Sequence, residues 1–259
     1  VIDHTLNGAP MGAEISPGPA QFTLSLTAAN AVDRVEFLKD NILEKMIVHS
    51  GTWERQPLPG RFAFKFEVEF GWGPETRLFP DAALKVWEGS LQVPGHLMGV
   101  EKLWNSFGQQ ILEWRDDRCD FRLTTHRGTE TGKWMGPSQV RRESLVFEVE
   151  GGIDDVLTLT VDGEQYALPV RMLLQGTRIY AQYSQCERRI IKKFGPTPHY
   201  RDDFIWHCAF KFRVRRAVPS PAYTLNESFT TTLDAGSQYR LRVWLKNGDA
   251  AWTSPIFCR

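Results

Sequence analysis

"FAFKFEVEF" (residues 62–70) alternates Phe62, Phe64, Phe66, Val68 and Phe70 with Ala63, Lys65, Glu67 and Glu69. A period of two sends the apolar set to one face and the charged set to the other, the pattern of a strand with one dry and one wet side. The design recurs on either side of this stretch. "FTLSLT" (22–27) alternates Phe22, Leu24 and Leu26 with Ser and Thr, while "FKFRV" (210–214) and "YRLRVWL" (239–245) carry Arg and Lys at the outer positions. Asp162-Gly163 in "VLTLTVDGEQYALPV" (156–170) and Asn247-Gly248 in "YRLRVWLKNGDAAW" (239–252) tolerate the positive φ of tight hairpin turns. The pattern predicts a mainly β chain built as a sandwich.

Three stretches are less decided. "AVDRVEFLKDNILEKMIVHS" (31–50) fits a helix through Val35, Leu38, Ile42 and Met46, but Val35 and Phe37 alternate and Asp40-Asn41 invites a turn, which favours two strands. A short helix is expected around "VEKLWNSFGQQIL" (100–112), and "PVRMLLQG" (169–176) suits one further helical turn.

Bulk properties narrow the classes of partner. The 259 residues suffice for one large domain or two smaller ones, and 42% hydrophobic content supplies a sizeable core. Lys plus Arg and Asp plus Glu both total 31, which removes the electrostatic motive for nucleic acid or an anionic membrane as partner. No apolar run approaches the roughly 18 residues of a transmembrane helix, and the N-terminal residues show no signal-peptide pattern. Cys119, Cys186, Cys208 and Cys258 are widely spaced without a Cys-x-x-Cys, which leaves disulfide pairing and compartment open but favours free thiols.

Chemical motifs are sparse. The six histidines form no His-x-His or His-Glu-x-x-His. The densest group is "HYRDDFIWHC" (199–208), where His199, Asp203 and His207 are the candidate metal ligands: as a strand, Asp203 and His207 share a face. A polar loop leading into a strand is the simpler reading. There is no Gly-x-Ser-x-Gly elbow. "FGWGPE" (70–75) ends a strand and precedes no helix, so it is no phosphate loop. Asp116-Asp117 and Asp154-Asp155 read as turn residues. Nine tryptophans are an excess. The alternation of 239–245 points Arg240, Arg242 and Trp244 outward together, as candidate ligand-binding residues. Such a row suits a glycan platform or an inter-domain contact; the alternative for tryptophan is core packing.

The chain ends carry a resemblance. "LNGAPMGAEI" (6–15) followed by "VDRVEFLKDN" (32–41), and "YRLRVWLKNGDAAWTSPIF" (239–257) at the close, resemble phrases in the C-terminal region of a family of mostly bacterial proteins. Those proteins carry a PHP-type (polymerase and histidinol phosphatase-like) metallohydrolase domain. "FGWGPE" (70–75) and "VWEGSLQV" (86–93) resemble the family's interior strands, whereas "CERRIIKKFGPTP" (186–198) matches none of its phrases. The resemblance implies a non-catalytic accessory region. The family's His-x-His and carboxylate ligands match no position here, so no catalytic residue is carried over and a divalent metal is expected only in a preceding catalytic domain. The implied partners are that domain or another subunit, with a glycan as the alternative ligand and an oligomer-forming role as a third reading. The implied architecture is an immunoglobulin- or fibronectin-like β-sandwich from residues 1–58 and 204–259, interrupted by an inserted β-rich domain over 59–203, with few short helices. "WERQPLPG" (53–60) and "FGPTPHYRDD" (194–203) would be the crossings, and Val1 to Leu6 the stump of a strand leaving the catalytic domain.

Overall fold

The computed structural model describes residues 1–51, 57–102, 108–127, 140–196 and 202–259. Asn7 and Gly8 take positive φ (51° and 80°), which matches the twist of a two-residue hairpin between β1 (Ile2–Leu6) and β2 (Ala9–Pro10). A two-residue strand β3 (Glu14–Ile15) follows, then β4 (Gly18–Thr27). β1 pairs with β4 over its whole length, from Ile2 opposite Leu26 to Leu6 opposite Phe22. Ile2–Leu6 is thus an integral strand of the first sandwich, with Leu6 fully buried. Residues 31–50 form β5 (Val32–Lys39) and β6 (Ile42–Val48) about a turn at Asp40 and Asn41, whose φ of 50° and 68° their short polar side chains tolerate.

The chain then enters a second unit. Its strands are β7 (Arg61–Trp72), β8 (Leu84–Gln92), β9 (His96–Lys102), β10 (Gln109–Trp114), β11 (Arg118–Arg127), β12 (Val140–Arg141), β13 (Glu143–Gly152), β14 (Val156–Val161) and β15 (Glu164–Pro169). After these come α1 (Val170–Gln175), β16 (Arg178–Ala181), α2 (Tyr183–Phe194), α3 (Asp202–Cys208) and β17 (Lys211–Val214). One sheet runs β10-β11-β8-β14-β15, with β12 beside β11; the other runs β16-β17-β7-β13-β9. Their inner faces meet through aromatic rings. Phe70 of β7 lies 5.1 Å from Trp87 and 5.9 Å from Phe121, and Phe121 lies 6.0 Å from Phe147 of β13. Trp87 satisfies its indole N–H inside this core by donating to Thr125 Oγ1 at 2.8 Å.

The last segment returns to the first unit through β18 (Val218–Pro219), α4 (Ser220–Tyr223), β19 (Thr224–Leu233), β20 (Gln238–Leu245), β21 (Ala250–Trp252) and β22 (Ile256–Cys258). The two sheets here are β19-β4-β1-β2 and β3-β22-β20-β5-β6, with β21 also on β20 and β3 parallel to β22. In immunoglobulin lettering the orders are E-B-A against A′-G-F-C-C′, and the second unit is inserted between C′ and E. Phe22 of one sheet meets Phe37 of the other at 5.2 Å, inside a core that includes Leu24, Val35, Leu241 and Val243. Tyr239, at the start of the F-equivalent strand, is buried and its hydroxyl accepts from the Asp234 N–H at 2.9 Å, a tyrosine corner of the immunoglobulin type.

The compact units are Val1–Pro59 with Val218–Arg259, and Gly60–Ala217. The second boundary therefore lies at Ala217, not at 203, because β17 pairs with β7 and β16 of the inserted unit. Three local expectations also change. Val100–Lys102 end β9 and Gln109–Leu112 belong to β10, so both ends of the helix expected over 100–112 are strand; its residues 103–107 lie outside the described residues. Asp202–Cys208 is helical, not a loop and strand, since an apolar run as short as Phe204–Ile205–Trp206 fits either period. Lys65, Glu67 and Glu69 of β7 are 3%, 9% and 4% exposed, so the charged face of that strand is not wet.

Candidate functional site

The outward row of β20 lies on the outer face of the first unit's larger sheet, where strand register builds two cross-sheet lines. One runs Trp252, Arg242, Glu36, Met46 over β21, β20, β5 and β6; the next runs Ala250, Trp244, Arg34, Val48. Directly opposed residues share a face, so seven side chains larger than alanine converge on one patch. Trp252, Met46 and Val48 are 54%, 44% and 57% exposed. Arg240, the third member of the predicted row, sits opposite buried Leu38. It has no carboxylate within ion-pair distance among the described residues, and its Nε is buried without a hydrogen bond.

Glu36 organises the patch. It is nearly buried and accepts from Arg34 Nε at 2.8 Å and from Arg242 Nε at 2.5 Å. Arg34 also donates to Asp33 at 2.7 Å. Burial pushes the Glu36 carboxyl up, but the hydrogen bonds from Arg34 and Arg242 outweigh it and hold its pKa below the ordinary value. The guanidinium groups of Arg34 and Arg242 lie 5.0 Å and 5.5 Å from the Trp244 ring centroid, and Trp252 meets that ring in a T-shaped arrangement at 6.2 Å. Trp244 is thus half-buried with its ring already engaged by cations. A pyranose stacking on it would have to displace them.

A second charged arrangement escaped the sequence pattern. Glu69 of β7 accepts from Arg213 and from Arg215 (2.9 Å), and pairs with Arg142 at 3.3 Å; Arg215 also reaches Glu67 at 3.0 Å. Burial raises the Glu67 carboxyl above its ordinary pKa, against the pull of Arg215. Lys65 continues the line, 3.0 Å from Glu101 and 3.4 Å from Glu148. Two carboxylates on one face invite an acid–base reading, but Glu69 has its lone pairs committed to three guanidinium groups. The arrangement does the work of a cross-strand clamp on β7, β13 and β17. The complementary spacing of Lys65, Glu67, Glu69 and Arg213, Arg215 was the available signal.

Of the candidate metal ligands, His199 lies outside the described residues, and Asp203 and His207 fall within α3, with His207 exposed. Among the described residues no group of three His, Cys, Asp or Glu side chains converges in the manner of a metal site. All four cysteines are free and buried, and no described helix is long and apolar enough to cross a membrane. Comparison with protein-family models, with curated proteins and with solved structures returns no match to this chain.

Proposed function

We propose that this chain is a non-catalytic β-sandwich accessory module that docks on a catalytic partner of the PHP metallohydrolase type through the outer face of its first sandwich. The carrying observation is the patch of Arg34, Arg242, Trp244 and Trp252, preorganised by the nearly buried Glu36 and bordered by exposed Met46 and Val48. Trp and Arg held rigid beside exposed apolar side chains are the composition of protein-binding hot spots. The resemblance of the terminal phrases to the C-terminal regions of PHP-type proteins supports the choice of partner. The engagement of Trp244 by two guanidinium groups favours a protein surface over a glycan platform.

The test is co-purification of the chain with a PHP-type domain encoded in the same or an adjacent reading frame, followed by titration. Trp252→Asp and Arg242→Glu should each weaken the complex by roughly tenfold or more. Failure of any such domain to associate, or association indifferent to both substitutions, would overturn the assignment.

A further inference from the structure

The inserted unit contains a cavity of about 290 Å³ that neither the docking patch nor the charge clamp uses. It forms where the chain doubles back. Pro169 ends β15 with the extended backbone that starts a helix, and α1 lasts only six residues, Val170–Gln175. β16 then returns along β17. The hairpin-like path sets Leu168, Pro169, Met172 and Leu173 across from Arg178, Ile179 and Tyr180. Leu168 and Leu173 are buried and form the floor, while Ile179 is 52% exposed at the rim.

Two polar residues, Arg178 and Tyr180, line the same cavity. Arg178 has no carboxylate partner and the Tyr180 hydroxyl no hydrogen bond among the described residues, although many arginines of the inserted unit, such as Arg118, Arg122, Arg171 and Arg213, are ion-paired. Tyr180 is held in place by stacking on Phe212 at 5.3 Å and by the edge of Tyr166 at 5.1 Å, so its hydroxyl is a fixed donor. Arg178 and Tyr180 stand two apart on β16, on the same side of the strand, and both line the cavity. An apolar pocket with a few convergent polar groups is the usual form of a small-molecule site, and this volume sits at the small end of the roughly 300–1,000 Å³ range.

We propose that this cavity binds a compact apolar carboxylate of the medium-chain fatty-acid kind, the chain lying against Leu168, Met172 and Leu173 and the carboxylate on Arg178 and Tyr180. The guanidinium supplies a forked donor for the two carboxylate oxygens, and the phenol adds a third hydrogen bond. This site is independent of the docking surface and stands or falls separately from it.

Octanoate, 1-octanol and acetate are the probes, titrated into the full chain by heteronuclear NMR and calorimetry. Octanoate should saturate one site with a Kd on the order of 1 mM or tighter, and the two half-probes should each bind roughly tenfold more weakly. Arg178→Glu, at an exposed position, should weaken octanoate roughly tenfold or more while leaving the far-UV circular dichroism unchanged. Met172→Trp, which fills the cavity, should do the same to octanoate without touching the charge. Shifts confined to residues lining the cavity support the site. Non-saturating binding, or saturation that survives both substitutions, overturns it.

Discussion

Glu36 of β5 and Arg242 of β20 stand directly opposite each other across a strand pair and form an ion pair between residues 206 apart in the chain. The Glu36 side chain is 5% exposed and that of Arg242 36%, so the acid is the buried partner and the base keeps contact with water. Removing the acid therefore takes from Arg242 its carboxylate and leaves Arg34 with Asp33, whereas removing one base leaves the acid its other partner.

Glu36→Gln is expected to cost about 1–3 kcal/mol at neutral pH, read as a fall in urea midpoint without a change in slope. The pH dependence follows from the depressed folded-state pKa. The carboxylate's contribution is fully present above its unfolded value near 4.5 and is lost as pH falls through the lower folded value. The variant should show a flatter acid limb below about pH 4.5. An unchanged acid limb would mean that the ion pair contributes nothing net.

His4 acts in a different window. Its ring is 1% exposed beside Phe22, its Nδ1 has no hydrogen bond, and burial drops its pKa to about 4 despite the nearby Asp3 charge. The unfolded chain takes up this proton near pH 6.5 and the folded chain only near 4, so stability declines as pH falls between those values. The loss is on the order of 3 kcal/mol if the ring stays fully buried. His4→Phe should abolish this part of the pH profile; equilibrium unfolding at pH 7 and pH 5 compares the two chains directly.

Gly89 of β8 lies opposite Phe121 of β11. A Cβ placed there would fall 2.5 Å from Phe121 Cζ and 2.7 Å from the Thr160 carbonyl oxygen. One neighbour is a packed ring and the other is backbone, so neither gives way cheaply. Gly89→Ala should destabilise the inserted unit by about 1–3 kcal/mol, the ordinary cost of overpacking, and hydrogen exchange should report the loss on β8, β11 and β14. A neutral substitution would show that the ring over Gly89 can shift.

The four thiols supply a probe of integrity. Burial pushes Cys119 up to about 12 and Cys186 up to about 11, so little thiolate exists at neutral pH. Reaction of the native chain with a disulfide reagent at pH 8 should run on the order of 100-fold slower than that of the unfolded chain, which should release four equivalents. One fast native equivalent would identify a thiol that is not buried.

The strands were legible wherever period-two alternation met a turn dipeptide. β4, β7, β14, β15 and β20 fall where the pattern sets them, and Asp40-Asn41 correctly split 31–50 into two strands. Of the helix expected over 100–112, the described ends Val100–Lys102 and Gln109–Leu112 are strand, because alternation there is weak and the neighbouring strands β13 and β11, not local propensity, supply the hydrogen bonds. Of the patch, Arg242 and Trp244 were legible because they belong to one strand, whereas Arg240 of the same row lies opposite buried Leu38. Glu36, Met46, Val48 and Trp252 were not, since only pairing with β5, β6 and β21 brings them alongside.

By itself the sequence determined the mainly β class, the hairpin turns, the buried face of each strong strand and the outward set of β20, because these depend on neighbours one or two residues away. The tertiary structure alone decided that Lys65, Glu67 and Glu69 are buried in an ionic clamp, that Ile2–Leu6 belongs to the first sandwich, and that the inserted unit runs to Ala217. It also decided which cations hold Glu36. The physical reason is common to all four. Alternation says which face a side chain takes, but what covers that face is set by strands far away in sequence, whose register only the folded sheet defines.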